Sequence, residues 1–366
     1  MNVWIIADVA RSVPGGMRRH MELHAEGLRR LGQRAETFFA EDFEGSRAER
    51  VPRRLPGVKS WVALRERLRQ DPPDVVNVHT QCAPAWIVAA RARRLPAKVV
   101  VMSYAADEGG IEVRRPRDVL RWDRAALPAR ATFPFADGIW SVNRTDLGYY
   151  RDRYGVHRDR LACIPHAVGD EFYANEEAVV RQPQQVLFAG TWIERKGVDV
   201  LAAALALALQ KLPDLRVVLA GTVVEESVVR RALPPELAER ARILSIASDP
   251  ELRQLYRESS LLVLPSRREG LPIVMLEAMA CGCPSLAAAN SGMLDVIEPG
   301  VNGWLEPSFA PERWGERVVS LLADPAGLAR ASAGAAATAQ AFRIETVART
   351  AFDWYQGLAR RGSSDG

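Results

Sequence analysis

The amino-acid sequence predicts an α/β protein made of two doubly wound domains that face a common cleft, and three observations predict this class. Short apolar runs alternate with segments of helical periodicity along the chain, which is typical of βα units around a parallel sheet. The alternation stops over a polar, proline-containing stretch, 173–185, and then begins again. The length of 366 residues is enough for two domains that each bury a core.

The strands are predicted at the apolar runs, which have the length and composition of buried strands. In the first half these runs are 3–7, 75–78, 99–102 and 138–142. A helix is predicted over 17–31, because apolar residues recur there at helical spacing. The second half repeats the pattern with runs at 186–189, 215–220, 242–246 and 261–264. We therefore expect one domain over 1–173 and a second over 174–345.

Composition excludes several classes of protein. With 26% charged and 48% hydrophobic residues, the chain is neither disordered, collagen-like nor a small disulfide scaffold. The net charge of +4 favours anionic ligands or a membrane surface only weakly, and it does not indicate a nucleic-acid partner. Only four of the 49 basic residues are lysines, so each lysine is a candidate for a specific role.

Cysteine usage and hydropathy bear on the compartment. The four cysteines are too few and too scattered for a disulfide framework or a zinc site, so we expect them in the core. The N-terminal segment predicts a first strand and not a signal peptide. The longest apolar stretch, 200–209, falls short of the roughly 18 residues that a membrane span needs. We expect a cytoplasmic protein, and leave open peripheral contact with the inner membrane face.

The most informative motif is PSRREGLPIVMLEAMACGCP, at 265–284. A strand ends at its first two residues, a loop carries Glu269 and Gly270, and a helix begins near Pro272. This helix is apolar on nearly every side and must be buried, so Glu277 inside it needs a partner. One possible partner is an arginine or a backbone donor with a purely structural role. The other is a ligand whose hydroxyl groups donate to Glu277 and also to Glu269. The helix N-terminus favours an anion.

Two further loops follow predicted strands. In FAGTWIERKGVDVL, at 188–201, Arg195 and Lys196 precede a glycine that opens a helix, where a diphosphate would meet the helix N-terminus. A solvated basic turn is the alternative, but the scarcity of lysine favours a phosphate ligand. In ARSVPGGMRRHM, at 10–21, Gly15 and Gly16 allow a ligand to approach the backbone closely, although a plain loop explains them too.

Two histidines, His79 and His166, stand at predicted strand ends. Such residues are either structural or catalytic, and the sequence does not separate these roles. The segment 47–69 carries seven arginines interleaved with Trp61 and other apolar residues. This face fits an anionic lipid surface and a solvated surface equally well.

The block PS-x-x-EGLP-x-x-x-LEAMA-x-G-x-P resembles the family-4 type of retaining, nucleotide-sugar-dependent glycosyltransferases, two-domain enzymes of the GT-B fold with Rossmann-like domains. Their E-x7-E motif matches Glu269 and Glu277. The resemblance implies that Glu269 contacts the hydroxyls of the donor sugar, that Glu277 holds the ribose, and that Lys196 binds the phosphates. It also implies that the glycine loop lies against the phosphates and the acceptor, and that a C-terminal helix, 346–366, crosses back to the first domain.

The resemblance gives three groups of predicted site residues. The catalytic group is Glu269 and Lys196. The donor-binding group is Glu277, Arg195, Gly270, Leu271, Ile273, Gly16, Gly15 and Ala247. The acceptor-side group is His79, Tyr104, Asp107 and Arg18. No metal ligand is predicted, and the sequence has no Asp-x-Asp motif.

Three positions depart from the family pattern. His166 stands where the family usually has an asparagine in a Pro-Asn-Gly turn. Thr191 stands where the family has an arginine that binds phosphate, a role that Arg195 would take over. Tyr104 stands where many relatives have a histidine, so either Tyr104 or Asp107 makes that contact or the acceptor is bound differently.

The resemblance implies sugar transfer with retention, from a UDP- or GDP-linked donor to a hydroxyl, without a metal or other cofactor. The leaving phosphate oxygen would accept the proton of the acceptor. We expect a glycan or lipid-linked acceptor in cell-surface polysaccharide or lipopolysaccharide assembly. The alternatives are a small natural-product acceptor, a sugar-nucleotide epimerase on the same fold, and an inactive subunit that binds sugar nucleotides.

Overall fold

The computed structural model describes residues 1–11, 15–44, 48–52, 55–104, 128–173 and 181–361. The chain divides into two compact units, Met1–Ala167 with Ile344–Gly366, and Val168–Arg343. Each unit contains one six-stranded sheet with helices between its strands, which confirms the doubly wound α/β prediction. Most of the expected linker, 174–180, lies outside the described residues.

The sheet of the first unit has the strand order β2-β1-β3-β4-β5-β6. Every pair of neighbouring strands in it is parallel. Its strands are β1 (Asn2–Ile6), β2 (Arg34–Phe38), β3 (Val75–His79), β4 (Lys98–Ser103), β5 (Gly138–Ser141) and β6 (Leu161–Cys163). Its helices in this part of the chain are α1 (Gly16–Arg30), α2 (Pro56–Gln70), α3 (Ala83–Arg93) and α4 (Arg144–Tyr154). Every residue of β1 and β3 is buried, as expected for central strands covered on both faces.

The second unit has a parallel sheet in the order β12-β11-β10-β7-β8-β9. Its strands are β7 (Gln185–Ala189), β8 (Arg216–Ala220), β9 (Ala241–Leu244), β10 (Leu261–Leu264), β11 (Ser285–Ala288) and β12 (Gly303–Glu306). Its helices are α5 (Val198–Lys211), α6 (Glu226–Ala232), α7 (Pro235–Arg240), α8 (Asp249–Glu258), α9 (Ile273–Ala280), α10 (Ser291–Val296), α11 (Pro311–Leu322) and α12 (Pro325–Ala339). The predicted strand 242–246 ends two residues early, because the chain leaves the sheet after Leu244 and Ile246 is 73% exposed.

The last helix, α13 (Ile344–Arg361), belongs to the first unit. It packs closely on α1, where a Cβ added to Gly27 would lie 2.5 Å from the Cβ of Ala348. It also covers β5, where a Cβ at Gly138 would come 2.8 Å from the ring of Trp354. Two glycines therefore allow this helix to lie directly against the unit.

The four cysteines are all free, and Cys82 and Cys283 are buried. Burial raises the pKa of the Cys82 thiol to about 12 and that of Cys283 to about 11, so neither is a thiolate near neutral pH. In the part of the chain that the structure describes, no helix is long and apolar enough to cross a membrane.

Candidate functional site

The candidate donor site of the second unit lies where its strand order reverses. The chain forms β7 first, then adds β8 and β9 on one side and β10 to β12 on the other. In open parallel sheets ligands bind beyond the carboxyl ends of the two strands that flank such a reversal. Here those strands are β7 and β10, and the loops that follow them carry Lys196 and Glu269. The topology therefore brings together two residues that are distant in the sequence.

Lys196 and Glu269 form an ion pair between Nζ and Oε1, and their side chains keep only 14% and 11% of their exposed area. Nη1 of Arg195 lies 3.3 Å from the same oxygen, and this guanidinium is half exposed. Two cations therefore share one carboxylate, which leaves a net positive charge next to the N-terminus of α5. Such an arrangement can bind the oxygens of an anionic group.

A left-handed glycine lets the two loops pack together. Gly197 has a φ of +68° and caps α5, and a Cβ there would overlap the carbonyl oxygen of Pro265. The backbone of Arg195 accepts a hydrogen bond from the Arg267 amide at 2.9 Å, and its Nη1 donates to the Arg268 carbonyl at 2.8 Å. These two hydrogen bonds thus hold the loop that carries Lys196 against the loop that carries Glu269.

Glu277 lies inside α9 with 2% of its surface exposed. The hydroxyl of Tyr256, on α8, donates to its Oε2 at 3.1 Å. A tyrosine is therefore one partner of this carboxylate, a residue type that the sequence analysis did not consider. Leu271 and Ile273 are 4% and 8% exposed, so a ligand at this segment would meet mainly its backbone.

The loops after β8 and β9 continue the same sheet edge. The Trp192 amide donates to the Thr222 carbonyl at 2.9 Å, and the Val223 amide donates to the Ser245 carbonyl at 2.9 Å. Val223 has a φ of +62°, an unusual conformation for a β-branched residue, and is 54% exposed. Ala247 is half-buried on the second loop. A valine at this position gives no signal of such a backbone conformation in the sequence.

In the first unit the strand order reverses between β1 and β3. Gly15 caps α1, in the connection that follows β1, while His79 is the last residue of β3. Among the described residues no atom lies within 4 Å of a Cβ added at Gly15, so packing does not require a glycine there. Gly16 is the first residue of α1. Arg18 is half-buried, donates from Nη1 to the Arg11 carbonyl at 3.1 Å, and lies 3.8 Å from Glu22.

Four of the five histidines of the chain form a buried group, the histidine cluster, at 2–3% exposure; its members are His20, His24, His79 and His166. Nδ1 of His20 lies 3.0 Å from Nδ1 of His166, and the ring centroids of His20 and His79 are 6.2 Å apart. His24 is joined to the last helix, because its Nε2 lies 3.0 Å from the hydroxyl of Tyr355 on α13.

Burial controls the protonation of this cluster. Desolvation lowers the pKa of His20 to about 3, and it lowers the pKa of His24, His79 and His166 well below the usual value. The like charge of neighbouring histidines lowers the last three further. All four rings are therefore neutral at physiological pH.

The predicted acceptor-side residues meet only in part. The Tyr104 hydroxyl lies 3.2 Å from Nδ1 of His79, and its ring stacks on His166 with centroids 5.5 Å apart. Tyr104 thus joins the histidine cluster. Asp107 lies outside the described residues. Within the described ranges no group of three or more histidine, cysteine or acidic side chains is placed to hold a metal ion.

Two family models match adjacent parts of the chain, Glycosyltransferase Family 4 over residues 14–172 and Glycosyl transferases group 1 over residues 170–340. The D-inositol 3-phosphate glycosyltransferase of Xylanimonas cellulosilytica is 32% identical over 346 residues, which cover 88% of this chain and 81% of the relative. That of Segniliparus rotundus is 27% identical over 62% of this chain and 54% of the relative. The chain thus spans about half the length of some curated relatives that it matches.

Solved structures share the fold over nearly the whole chain. Sucrose-phosphate synthase from Thermosynechococcus elongatus superposes with a TM-score of 0.79 at 20% identity and covers 98% of both chains. Anabaena HepE in complex with UDP-glucose superposes with a TM-score of 0.70 at 18% identity over 100% of both chains. These likenesses show a fold of two Rossmann-like domains of the GT-B class.

Proposed function

The chain belongs to the family-4 glycosyltransferases, and on that premise we propose that it transfers a sugar from a nucleoside diphosphate sugar to an acceptor hydroxyl with retention of anomeric configuration. The observation that carries this proposal is the ion pair of Lys196 with Glu269 at the switch point of the second unit, with Arg195 at the same carboxylate. The structural neighbour HepE was solved in complex with UDP and with UDP-glucose, which supports a uridine nucleotide as the donor, with GDP as the alternative.

Donor binding exchanges the partners of this ion pair. The diphosphate takes the place of the carboxylate at Lys196, with Arg195 supplying the charge that Thr191 lacks. Glu269 then accepts hydrogen bonds from the hydroxyls of the sugar, and Glu277 accepts them from the ribose. The lysine ammonium is a compact charge that suits phosphate oxygens.

The same groups assist departure of the leaving group. Sugar transfer builds positive charge at the anomeric carbon and negative charge on the departing diphosphate. Lys196, Arg195 and the N-terminus of α5 stabilise that negative charge. A leaving phosphate oxygen accepts the proton of the acceptor hydroxyl on the face it departs from, so the mechanism needs neither a carboxylate nucleophile nor a metal.

The proposal is tested by screening UDP-, GDP- and dTDP-sugars for thermal stabilisation and then for transfer and hydrolysis. Lys196→Ala should lower kcat by about 100-fold or more, the effect of removing one donor to a developing oxyanion. Glu269→Gln removes the negative charge that accepts hydrogen bonds from the sugar hydroxyls, and it should also lower kcat. Lys211→Ala, at the exposed end of α5, is the matched lysine control and should keep full activity. Full activity of Lys196→Ala or Glu269→Gln would refute the assigned roles. Tight donor binding without transfer or hydrolysis would indicate an inactive binding subunit instead.

The acceptor proposed from the sequence is a glycan or lipid-linked compound of cell-surface polysaccharide or lipopolysaccharide assembly. A second candidate, a small phosphorylated polyol, is favoured because the curated relatives are described as D-inositol 3-phosphate glycosyltransferases. Incubation with a labelled donor and either inositol 3-phosphate or a lipid-linked glycan separates the two. Transfer to the small acceptor alone would exclude the first candidate.

The membrane surface is part of the same proposal, with a cytoplasmic location at the inner membrane face. The N-terminal part of α2 exposes Val58, and Leu55 before it is 45% exposed. Trp61 is half-buried against Trp86, with ring centroids 5.0 Å apart, and so contributes less than the sequence suggests. Flotation with anionic and with neutral vesicles tests this contact, and binding should require anionic lipid and fall with salt.

A further inference from the structure

The turn at 290–292, formed by the N-cap and the first two residues of α10, lies against the loop that carries Glu269. The Gly292 amide donates to the Gly270 carbonyl at 2.7 Å, one residue after the glutamate. The side-chain amide of Asn290 donates to the Ser266 carbonyl at 2.9 Å, three residues before it. The turn therefore holds the backbone on both sides of Glu269.

The fit between the turn and the loop is tight. A Cβ added at Gly292 would overlap the Gly270 carbonyl oxygen and lie 2.9 Å from the Cβ of Leu271. Ser291 has a φ of +41°, a conformation that non-glycine residues rarely adopt. Strained backbone of this kind persists only where the surrounding structure determines it. The turn is thus shaped to a particular position of the glutamate loop.

The opposite side of the loop is held by a different element. The guanidinium of Arg267 makes two contacts of 2.6 and 2.7 Å with the carboxylate of Asp199, on α5. Two elements therefore hold the Glu269 loop. One is α5, the helix that follows Lys196, and the other is the 290–292 turn.

We propose that the 290–292 turn positions Glu269 for its contact with the donor sugar, so that Asn290 and Gly292 are positioning residues of the reaction. This inference rests on the proposed function, because it gives the turn a role only if Glu269 binds the sugar. A small displacement of a positioned group is enough to lower a rate by about 100-fold.

The test compares two glycine substitutions in the second unit. Gly292→Ala forces the turn and the loop apart. Gly334→Ala, in α12, creates the same kind of overlap with the carbonyl of Val301 and is the matched control for general destabilisation. We measure kcat and KM with the donor of the UDP-, GDP- and dTDP-linked panel that the wild type turns over fastest. We also measure the affinities for that donor and for its nucleoside diphosphate, and the melting temperatures.

For Gly292→Ala we expect kcat to fall by about 100-fold and donor affinity to weaken, while the affinity for the nucleoside diphosphate stays within about twofold. For Gly334→Ala we expect a lower melting temperature with an unchanged kcat for the folded protein. Asn290→Ala, which keeps the backbone, should reproduce the loss in kcat more weakly if Gly292→Ala does not fold.

Three outcomes would overturn the inference. Equal kcat losses in Gly292→Ala and Gly334→Ala would show a purely structural role, and a normal kcat in both Gly292→Ala and Asn290→Ala would show no role. An equal loss of affinity for the donor and for the nucleoside diphosphate would show that the substitution does not act at the sugar. If the wild type turns over no donor of the panel, the proposed function fails and the inference fails with it, a result that is separate from the other three.

Discussion

Acidification should destabilise the first unit strongly, because it contains four histidines that are neutral when folded. In the unfolded chain each has a pKa of about 6.5, whereas in the folded unit burial depresses it far below that value. Below pH 6.5 the unfolded state therefore binds protons that the folded state does not. The free energy of unfolding falls as the pH is lowered, and the loss continues down to the folded pKa.

The size of this loss depends only on the pKa of the histidines in the unfolded chain, as long as their pKa in the folded unit lies below the pH of measurement. Between pH 7.5 and pH 5.5 each buried histidine lowers the free energy of unfolding by about 1.4 kcal/mol. The four together give about 5.5 kcal/mol, comparable with the whole stability of many domains. The aromatic neighbours of the rings, Tyr104, Trp140 and Tyr355, carry no negative charge in this range that could offset the loss.

The assay is urea denaturation at pH 7.5, 6.5 and 5.5, with hydrogen exchange of peptides from α1 and β3 as the readout of the first unit. His20→Leu should reduce the pH-dependent loss by about a quarter, whatever its stability at pH 7.5. His157→Gln replaces an exposed histidine outside the cluster and serves as the control. An identical pH dependence in wild type and His20→Leu would refute the reasoning, and so would ring NMR signals that titrate near pH 6.5 in the folded protein.

Three other substitutions test separate contacts. Tyr256→Phe removes the hydroxyl that donates to the buried Glu277. It should lower the free energy of unfolding, measured by urea denaturation, by about 1–3 kcal/mol. No change would mean that other groups satisfy the carboxylate. Gly27→Ala overpacks the contact with Ala348 and should lower the free energy of unfolding by about 1–3 kcal/mol. It should also speed proteolysis of α13, and an unaltered digestion pattern would contradict the close packing. Thr191→Arg restores the arginine of the family pattern. Because Arg195 is proposed to supply that charge, the donor affinity measured by calorimetry should stay nearly unchanged, and clearly tighter binding would contradict the role of Arg195.

The strands that the sequence predicts and those that it misses differ in burial and side-chain size. β1 and β3 are buried throughout because helices cover both of their faces. Most of their residues are apolar, so their runs stand out. β2 is half exposed, β6 and β12 are short, and β11 is buried but consists of small residues with little apolar signal. Short strands at or near an edge of a sheet depend on their neighbours more than on their own composition.

The sequence by itself determined the fold class and singled out the charged residues of the candidate donor site, because the motifs around Lys196 and Glu269 combine charge, glycine and helix-start signals within a few residues. Only the tertiary structure joined the two residues at one switch point, since strand order is not written in either motif. It alone gathered His20, His79 and His166 from three separate parts of the chain, and set the left-handed turn that lies against the Glu269 loop. The physical reason is the same in each case. Local patterns encode local structure and chemistry, whereas burial, ion pairing and backbone strain depend on residues that only folding brings into contact.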